Sequence, residues 1–489
     1  MVSPESAYVH MVRSKIDRFQ ILTMETFDVL VIGSGSGATI ADAAVQMGRR
    51  VALVERDAFG GTCLNRGCIP SKMIIYAADL VCQIKQAERL GVRARIEEVD
   101  FGFIMDRMRR SIAEDRRHLE EAARRTEGLT YYNTTGEFIS DYTMRVDKET
   151  IKAENIFIVS GARPMIPPIR GLEGVDYLTS ANVWGLRELP KSMIIAGGGF
   201  IAAEMAHFFS AMGVEVTIIS RSPRLLKNAE PEVSDALIKA LRGRMSVQTG
   251  LEVKGVSEKG GLKEITTADK GGKTQVFRAE SLFIAAGLRS NADLLKPERT
   301  GVQLVENGYI KVNEFFETTK PRIWAFGDAI GRAMFKHVAN KEAEIVWHAF
   351  SHGHKGQLNY DRVPYAVFSW PQVASVGLTQ EEAERRGLRF LVGRSNYGDT
   401  AKGEAMGEED GFVKVVVEEG SHRILGAHIV GPEAPTLIQE VIDVMNVGDG
   451  AVYPVMDAMH IHPALPEVVQ NAFYNLRKPM RGGGPSETV

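Results

Sequence analysis

Two cysteines five positions apart, Cys63 and Cys68 in GGTCLNRGCIPSK (residues 60–72), have the type and spacing for redox work. They can close a small disulfide if the loop curls until the Cα atoms lie a few ångströms apart. The run after Ile69, KMIIYAADLV, reads as a helix. Cys68 then sits near a helix N-terminus, where the dipole favours a thiolate. Lys72, four residues on, adds positive charge on the same helix face. A dithiol of this kind beside an electron carrier can take two electrons and pass them to another disulfide. The competing readings are a buried structural disulfide and half of a zinc site, and zinc finds no second Cys or His pair at ligand spacing. The third cysteine, Cys82, fits no motif and reads as a packed core thiol. No metal site is expected.

A second cluster stands near the C-terminus, in His460-Ile461-His462-Pro463-Ala464-Leu465-Pro466-Glu467. Imidazole moves protons to and from a thiol at neutral pH, and a carboxylate five residues on can orient it. A histidine near a chain end is more often structural, so the residues alone leave both readings open. His352 and His354, either side of Gly353, read as exposed loop residues.

These residues need elements to hold them. Phe27–Ile32 is a short β run, followed by the turn Gly33-Ser-Gly35-Ser-Gly37-Ala38, a helical stretch to about Met47, and a second β run, Val51–Val54, ending at Glu55. That is a β-α-β unit with the pattern G-x-G-x-x-A. Gly33 permits the tight turn, Gly35 lets backbone N–H groups approach a pyrophosphate, and Glu55 is placed to accept from a ribose hydroxyl. A tight turn with no ligand is the plain alternative. A similar unit recurs at Met193–Ala196, Gly197-Gly198-Gly199, Phe200–Met212 and Val216–Ile219. Two such units suggest two nucleotides side by side. The second closing strand is followed by Ser220, Arg221, Arg224 and Lys227 rather than by a carboxylate. Those cations would attract the 2′-phosphate of NADP, which a carboxylate would repel, so NADP is expected over NAD; a basic surface turn is the alternative.

The chain of 489 residues exceeds one core, and its 44% hydrophobic and 25% charged residues are an ordinary globular mix. A net charge of −3 gives no reason to expect nucleic acid or an anionic membrane as partner. No apolar run approaches a membrane span, and three cysteines do not make a secreted disulfide scaffold, so a cytoplasmic location is expected. Residues 1–23 read as an extension ahead of Met24, and 481–489 as a disordered tail. Arg107–Arg125 reads as a charged helix with a solvated face, carrying Glu120–Arg124 and Glu121–Arg125 pairs. From about Val363 strands precede two helices, an α+β pattern.

The cysteine segment resembles the redox-active disulfide of the pyridine nucleotide-disulfide oxidoreductases, the family of glutathione reductase and dihydrolipoamide dehydrogenase. Other motifs fall in the family order over residues 24–475. TTKPRIWAFGD (318–328) resembles the second FAD motif, and Lys336-His337-Val338-Ala339 the loop over the flavin. Ser160-Gly161-Ala162-Arg163-Pro164 and Ala286-Gly287-Leu288-Arg289 resemble the two crossover motifs. The resemblance implies an α/β fold of two Rossmann-like domains, for FAD and NAD(P), plus a C-terminal α+β dimerisation domain. The expected division is 24–169 and 292–362 for FAD, 170–291 for NAD(P), and 363–480 for dimerisation.

By the same resemblance Cys68 faces the flavin and Cys63 meets substrate. Lys72 pairs with Glu204 near the flavin, and Asp328 holds the ribityl chain. Thr62, His337 and Ala339 border the FAD. Gly197, Gly199 and Gly287 belong to the NAD(P) side, with Phe200 as the aromatic gate over the nicotinamide. His462 is the base and Glu467 its partner, although Ala464 and Pro466 depart from the usual string. A homodimer with sites built from both subunits is implied. SKMIIYAAD, GFIAAEMAHFFSAMGV, the YGDTAKGEAM loop and IHPALPEVVQNA are most similar to the mycothione reductase branch. The expected reaction is NAD(P)H-driven reduction of a low-molecular-weight disulfide. Dihydrolipoyl dehydrogenase is the alternative, and a flavoprotein oxidase or electron carrier the alternative of another class. Lys402 and Glu404 stand where that branch carries aromatic residues. Arg66 inside the cysteine loop reads either as a binder of anionic substrate or as a solvated charge.

Overall fold

A computed structural model describes residues 24–479. The expectations placed on residues 1–23 and 481–489 lie outside the described residues.

The apolar run FDVLVI lies within β1 (Glu25–Ile32), whose Val29–Ile32 end is buried on both faces. Such continuous burial is what a parallel strand between covering layers requires. β1 pairs in parallel with β2 (Val51–Val54) and β6 (Glu149–Ile158). With β3 (Leu129–Tyr132), β4 (Gly136–Ser140) and β5 (Thr143–Val146) the order is β3-β2-β1-β6-β5-β4. The strand Ile323–Ala325 adds to the same sheet, parallel to β6. This sheet is therefore completed by chain from the far side of a second one.

That second sheet is parallel, in the order Ser246–Thr249, Glu215–Ser220, Ser192–Ala196, Ser281–Ile284. A three-stranded antiparallel sheet, Glu252–Lys259, Leu262–Ala268 and Thr274–Ala279, accompanies it. The C-terminal region is a five-stranded antiparallel sheet ordered Tyr365–Val367, Val373–Gly377, Ile424–Val430, Phe412–Glu418, Phe390–Asn396. Helices Ala434–Met445, Tyr453–Asp457 and Pro466–Tyr474 follow, one more than the sequence pattern suggests.

The structure corrects three local readings. Lys336-His337-Val338-Ala339 is not a loop but the first turn of the helix Lys336–His352. Tyr397–Met406 is not a loop either: Tyr397–Asp399 is a 3-10 turn and Ala401–Ala405 a short helix capped by Thr400. Tyr397 is wholly buried there, with its hydroxyl donating to the Pro432 carbonyl at 2.8 Å. The charged helix starts earlier, at Phe101, and buries Phe101, Met105, Met108 and Ile112. Its Arg/Glu face is solvated as read, with Arg124–Glu120 at 2.8 Å.

The second parallel unit is tied to the C-terminal sheet through buried charge. Lys414, on the strand Phe412–Glu418 and 3% exposed, donates to Glu230 at 2.6 Å and Glu232 at 2.5 Å. Those two carboxylates sit at the start of the helix Pro231–Arg242. Glu230 is 2% exposed and also accepts from the Gln380 N–H at 2.9 Å.

Candidate active site

Gly60 and Gly61, with φ of 100° and 67°, turn the chain off β2 into a short helix, Gly61–Arg66. The Asn65 amide donates to the carbonyls of Phe59 and Gly61, each at 2.9 Å, and closes that turn. Cys68 opens the helix Cys68–Gln86, as its spacing predicts. Both cysteines are free thiols. They are hydrogen-bonded to each other, and this bond is the main cause holding Cys63 down at about 6. Burial opposes it, while the Lys336 charge and the N–H groups of Cys68 and Ile69 support it. The same bond pushes Cys68 up, helped by burial and by the charge on Cys63, and opposed by Lys72. The pair therefore shares one thiolate between two sulfurs, Cys63 beside the Lys336 charge and Cys68 beside Lys72. The N-terminal amides of the Cys68 helix reach the neighbouring sulfur as well as its own.

Lys72 Nζ donates to both oxygens of Glu204 at 2.8 Å, and its ammonium lies 4.4 Å from the Phe368 ring centre. Glu204 is buried on the helix Phe200–Ala211 and also accepts from the Phe368 N–H at 3.1 Å. Phe200 starts that helix and meets Phe335 at 5.7 Å. Phe335 stacks in turn on His337 and Tyr365, nearly parallel to both. His337 Nε2 donates to the Pro364 carbonyl at 2.8 Å.

Lys72, Glu204, Phe200, Phe335, His337 and Phe368 line one cavity of about 690 Å³ that runs from Gly33 and Glu55 past Cys63 and Cys68. Thr62, Asp328 and Ala339 also line it. Its far end is a backbone cradle. A Cβ on Gly61 would come 2.7 Å from the Gly35 Cα, so the two chains approach there as only glycines allow. Glu55 is held by the Ser34 N–H at 2.9 Å and the Ser34 hydroxyl at 2.8 Å, aligned for a ribose. Ser36 joins Lys336 and Asn340, each at 2.9 Å. Asp328 is held up at about 6 by burial, with Lys336 opposing. The buried Ser160 hydroxyl, also on the cavity wall, has no protein partner. A buried orphan hydroxyl, a cradle at a helix start and two anchoring carboxylates fit FAD. Ala38 lies on the first turn of the helix Gly37–Gln46.

The second unit repeats the cradle without the acid. Gly197 has φ 154° and a Cβ there would lie 2.2 Å from the Ala285 carbonyl oxygen. Gly198, not singled out by the sequence reading, is the tighter contact of the next two: its Cβ would lie 2.3 Å from Ser220 Oγ, whereas Gly199 has open space. Arg224 is held by Asp235 at 3.0 Å, which leaves Arg221 and Lys227 as the exposed cations after Ser220. Gly287, φ 118°, accepts from the Met165 N–H at the crossover. Gly199, Gly287, Arg221 and Lys227 do not line the main cavity.

His462 Nδ1 lies 2.8 Å from Glu467 Oε1, and Glu467 Oε2 accepts from the Ala464 N–H at 3.0 Å. The carboxyl is held below its usual range by His462 first and by that N–H second. The imidazole is 70% exposed and does not line the cavity that holds Cys63. Arg66 is neither a loop residue nor a free charge: it ends the short helix and pairs with Asp57 at 2.6 Å.

Residues 27–343 match the family described as Pyridine nucleotide-disulphide oxidoreductase, and residues 363–473 match its dimerisation domain. The chain belongs to the pyridine nucleotide-disulphide oxidoreductase family. It is 39% identical to a mycothione reductase of Mycobacterium tuberculosis over 93% of this chain and 100% of that one. It is 32% identical to a dihydrolipoyl dehydrogenase of Chlamydia muridarum, over 91% and 95%. In structure it is similar to the HOCl-induced flavoprotein disulfide reductase RclA from Escherichia coli, with TM-score 0.81, 26% identity, and 91% and 99% of the two chains covered. As a member of this oxidoreductase family the protein is an enzyme of the flavoprotein disulfide reductases, which bind FAD and NAD(P)H. Among the described residues no helix is long and apolar enough to cross a membrane.

Against this family background, the sequence reading missed several residues of the site. Lys336 supplies charge to Cys63, yet its own motif was read only as a loop. Phe335 and Tyr365 form the aromatic column, and Ser34 fixes Glu55. Their signal is weak, because each acts through a partner distant in sequence.

Proposed function

We propose that this enzyme uses NADPH to reduce a low-molecular-weight disulfide of the mycothiol disulfide class, as a homodimer. The observation that carries the reading is the hydrogen-bonded pair Cys63–Cys68 on the wall of the cradle-ended cavity, with Lys72–Glu204 behind it. FAD, when bound, supplies the carrier that takes an electron pair from the nicotinamide to the cysteines. Gly33, Gly35, Glu55 and Asp328 would hold it, with Ser160 and Lys336 beside it. The division 24–169 with 292–362, 170–291 and 363–480 assigns one domain to each task.

With the cysteines reduced, the Cys63 thiolate attacks one sulfur of the substrate. A mixed disulfide forms and one thiolate leaves, taking a proton from His462 of the partner subunit, oriented by Glu467. Cys68 then attacks the Cys63 sulfur, closing the Cys63–Cys68 disulfide and releasing the second thiol. The exposed position of His462, outside its own chain's cavity, supports this cross-subunit arrangement. Ser220 with Arg221 and Lys227 supports NADP over NAD. The 39% identity to a mycothione reductase supports the substrate class. The exposed Lys402 and Glu404, where that branch carries aromatic residues, count against it.

The test is a panel of kcat/KM values. With NADPH it compares mycothiol disulfide, glutathione disulfide, bis-γ-glutamylcystine and coenzyme A disulfide; in reverse it pairs dihydrolipoamide with NAD. Mycothiol disulfide should lead. Faster dihydrolipoamide oxidation would instead place the enzyme with the dihydrolipoyl dehydrogenases.

A further inference from the structure

Behind the Lys72–Glu204 pair lies a second cross-link between the same two helices. His207 is wholly buried on the Phe200–Ala211 helix, one turn beyond Glu204. Its Nε2 is 2.8 Å from Asp79 Oδ1 on the Cys68 helix, and its Nδ1 is 3.2 Å from Arg244 Nη1. A guanidinium only donates, so Nδ1 accepts from Arg244 and Nε2 carries the proton given to Asp79. Arg244 also donates to the His207 carbonyl at 3.4 Å. Burial, the largest influence, lowers the imidazole's pKa against the pull of Asp79. The neutral ring agrees with the donor–acceptor pattern. Trp370 stacks on it at 6.3 Å.

The spacing gives the arrangement its meaning. Lys72 and Asp79 are seven apart, two turns along one face of the Cys68 helix. Glu204 and His207 are three apart, on one face of the other helix. A single cross-link leaves a helix free to pivot about it. Two at different heights fix both register and rotation. The helix so fixed carries Glu204 to Lys72 and sets Phe200 on the cavity wall.

We propose that His207, held between Asp79 and Arg244, is a positioning residue that locks the Phe200 helix onto the Cys68 helix and so places the Lys72–Glu204 pair and Phe200. This rests on the reading above, in which Lys72 and Phe200 border the flavin and the nicotinamide. Removing the ring frees the pivot at the nicotinamide end. The substrate end is unaffected, because Cys63, which meets substrate, sits on the separate helix Gly61–Arg66.

The experiment uses the FAD-loaded enzyme with His207→Leu and His207→Gln. The Leu variant should slow reduction by NADPH about tenfold and raise the KM for NADPH, with the KM for disulfide within about twofold of wild type. It should also weaken the long-wavelength band that a Cys68 thiolate facing the flavin gives the two-electron-reduced enzyme. Gln donates to Asp79 through its amide and accepts from Arg244 through its carbonyl, so it should recover most of both. A Leu variant with a lower Tm but wild-type reduction rate and absorbance overturns the proposal, as does a Gln variant no better than Leu. Cys68→Ser, run in parallel, separates the two ideas. If the absorbance survives Cys68→Ser, the reading of the dithiol itself is wrong. If it is lost there yet unchanged in the Leu variant, only the role given to His207 falls.

Discussion

The two glycine turns are nearly superimposable in what they demand of the backbone and opposite in what they offer a ribose. A Cβ on Gly33 would meet the Val159 carbonyl oxygen at 2.2 Å, and one on Gly197 would meet that of Ala285 at the same distance. Gly33 N–H donates to Val54 at 2.8 Å, and Gly197 N–H to Ile219 at 2.9 Å. Beyond the second strand the units part. The first ends in Glu55, clasped by Ser34. The second ends in Ser220, buried against Gly198, with Arg221 just outside. The backbone constraint is common to the two units, and the proposed choice of nucleotide rests on the side chain that ends each second strand.

The largest expected effect comes from the shared constraint. Gly33→Ala forces a methyl into a carbonyl at positive φ and should yield protein without FAD, read from absorbance at purification. Gly197→Ala should keep FAD and lose NADPH-dependent reduction. If either variant lost both nucleotides equally, the units would not be independent.

Next comes the difference between the strand ends. Ser220→Asp should turn the preference toward NADH, shifting the ratio of the two kcat/KM values by about 100-fold, on the order of 3 kcal/mol. An unchanged ratio would remove the strand end as the discriminator.

A third test concerns Asp328, a buried acid on the flavin side only. Its folded pKa, about 6, exceeds the unfolded value near 3.9. The folded state therefore holds the proton more tightly. The resulting stability is full below about pH 4 and is lost as pH rises through 6, about 3 kcal/mol in all. In flavin-stripped protein, Asp328→Asn should flatten the fall of the urea midpoint between pH 4 and 8, relative to wild type. An identical fall in both proteins would show that Asp328 is not strained.

The smallest effects sharpen the assignment among the cations. Arg221→Ala with Lys227→Ala should lower kcat/KM for NADPH about tenfold and leave NADH unchanged. Arg224→Ala should stay within about twofold, since Asp235 already holds that guanidinium.

Local features of this molecule were legible and distant ones were not. Gly33, Gly35 and Glu55 reveal their unit because strand, turn and helix follow one another. Cys68 was correctly placed at a helix start for the same reason. The part played by Lys336 was not legible, because it lies far along the chain from the cysteines it charges. The strand Ile323–Ala325 joins β6 across a whole intervening sheet, a pairing that three residues do not announce. The antiparallel sheet of residues 252–279 escaped because many of its side chains are exposed on both faces, which blurs the alternation. Asp79 and His207 read as ordinary helix positions until the two helices are packed together.

The buried bond of Lys414 to Glu230 sets a mechanical limit. Swinging the second nucleotide-binding unit away from the C-terminal sheet would have to part an ammonium and a carboxylate that hide each other, each about 97% buried. The bond thus works as a rivet between the two units, which favours a fixed circuit with small moving contacts over a pair of closing jaws.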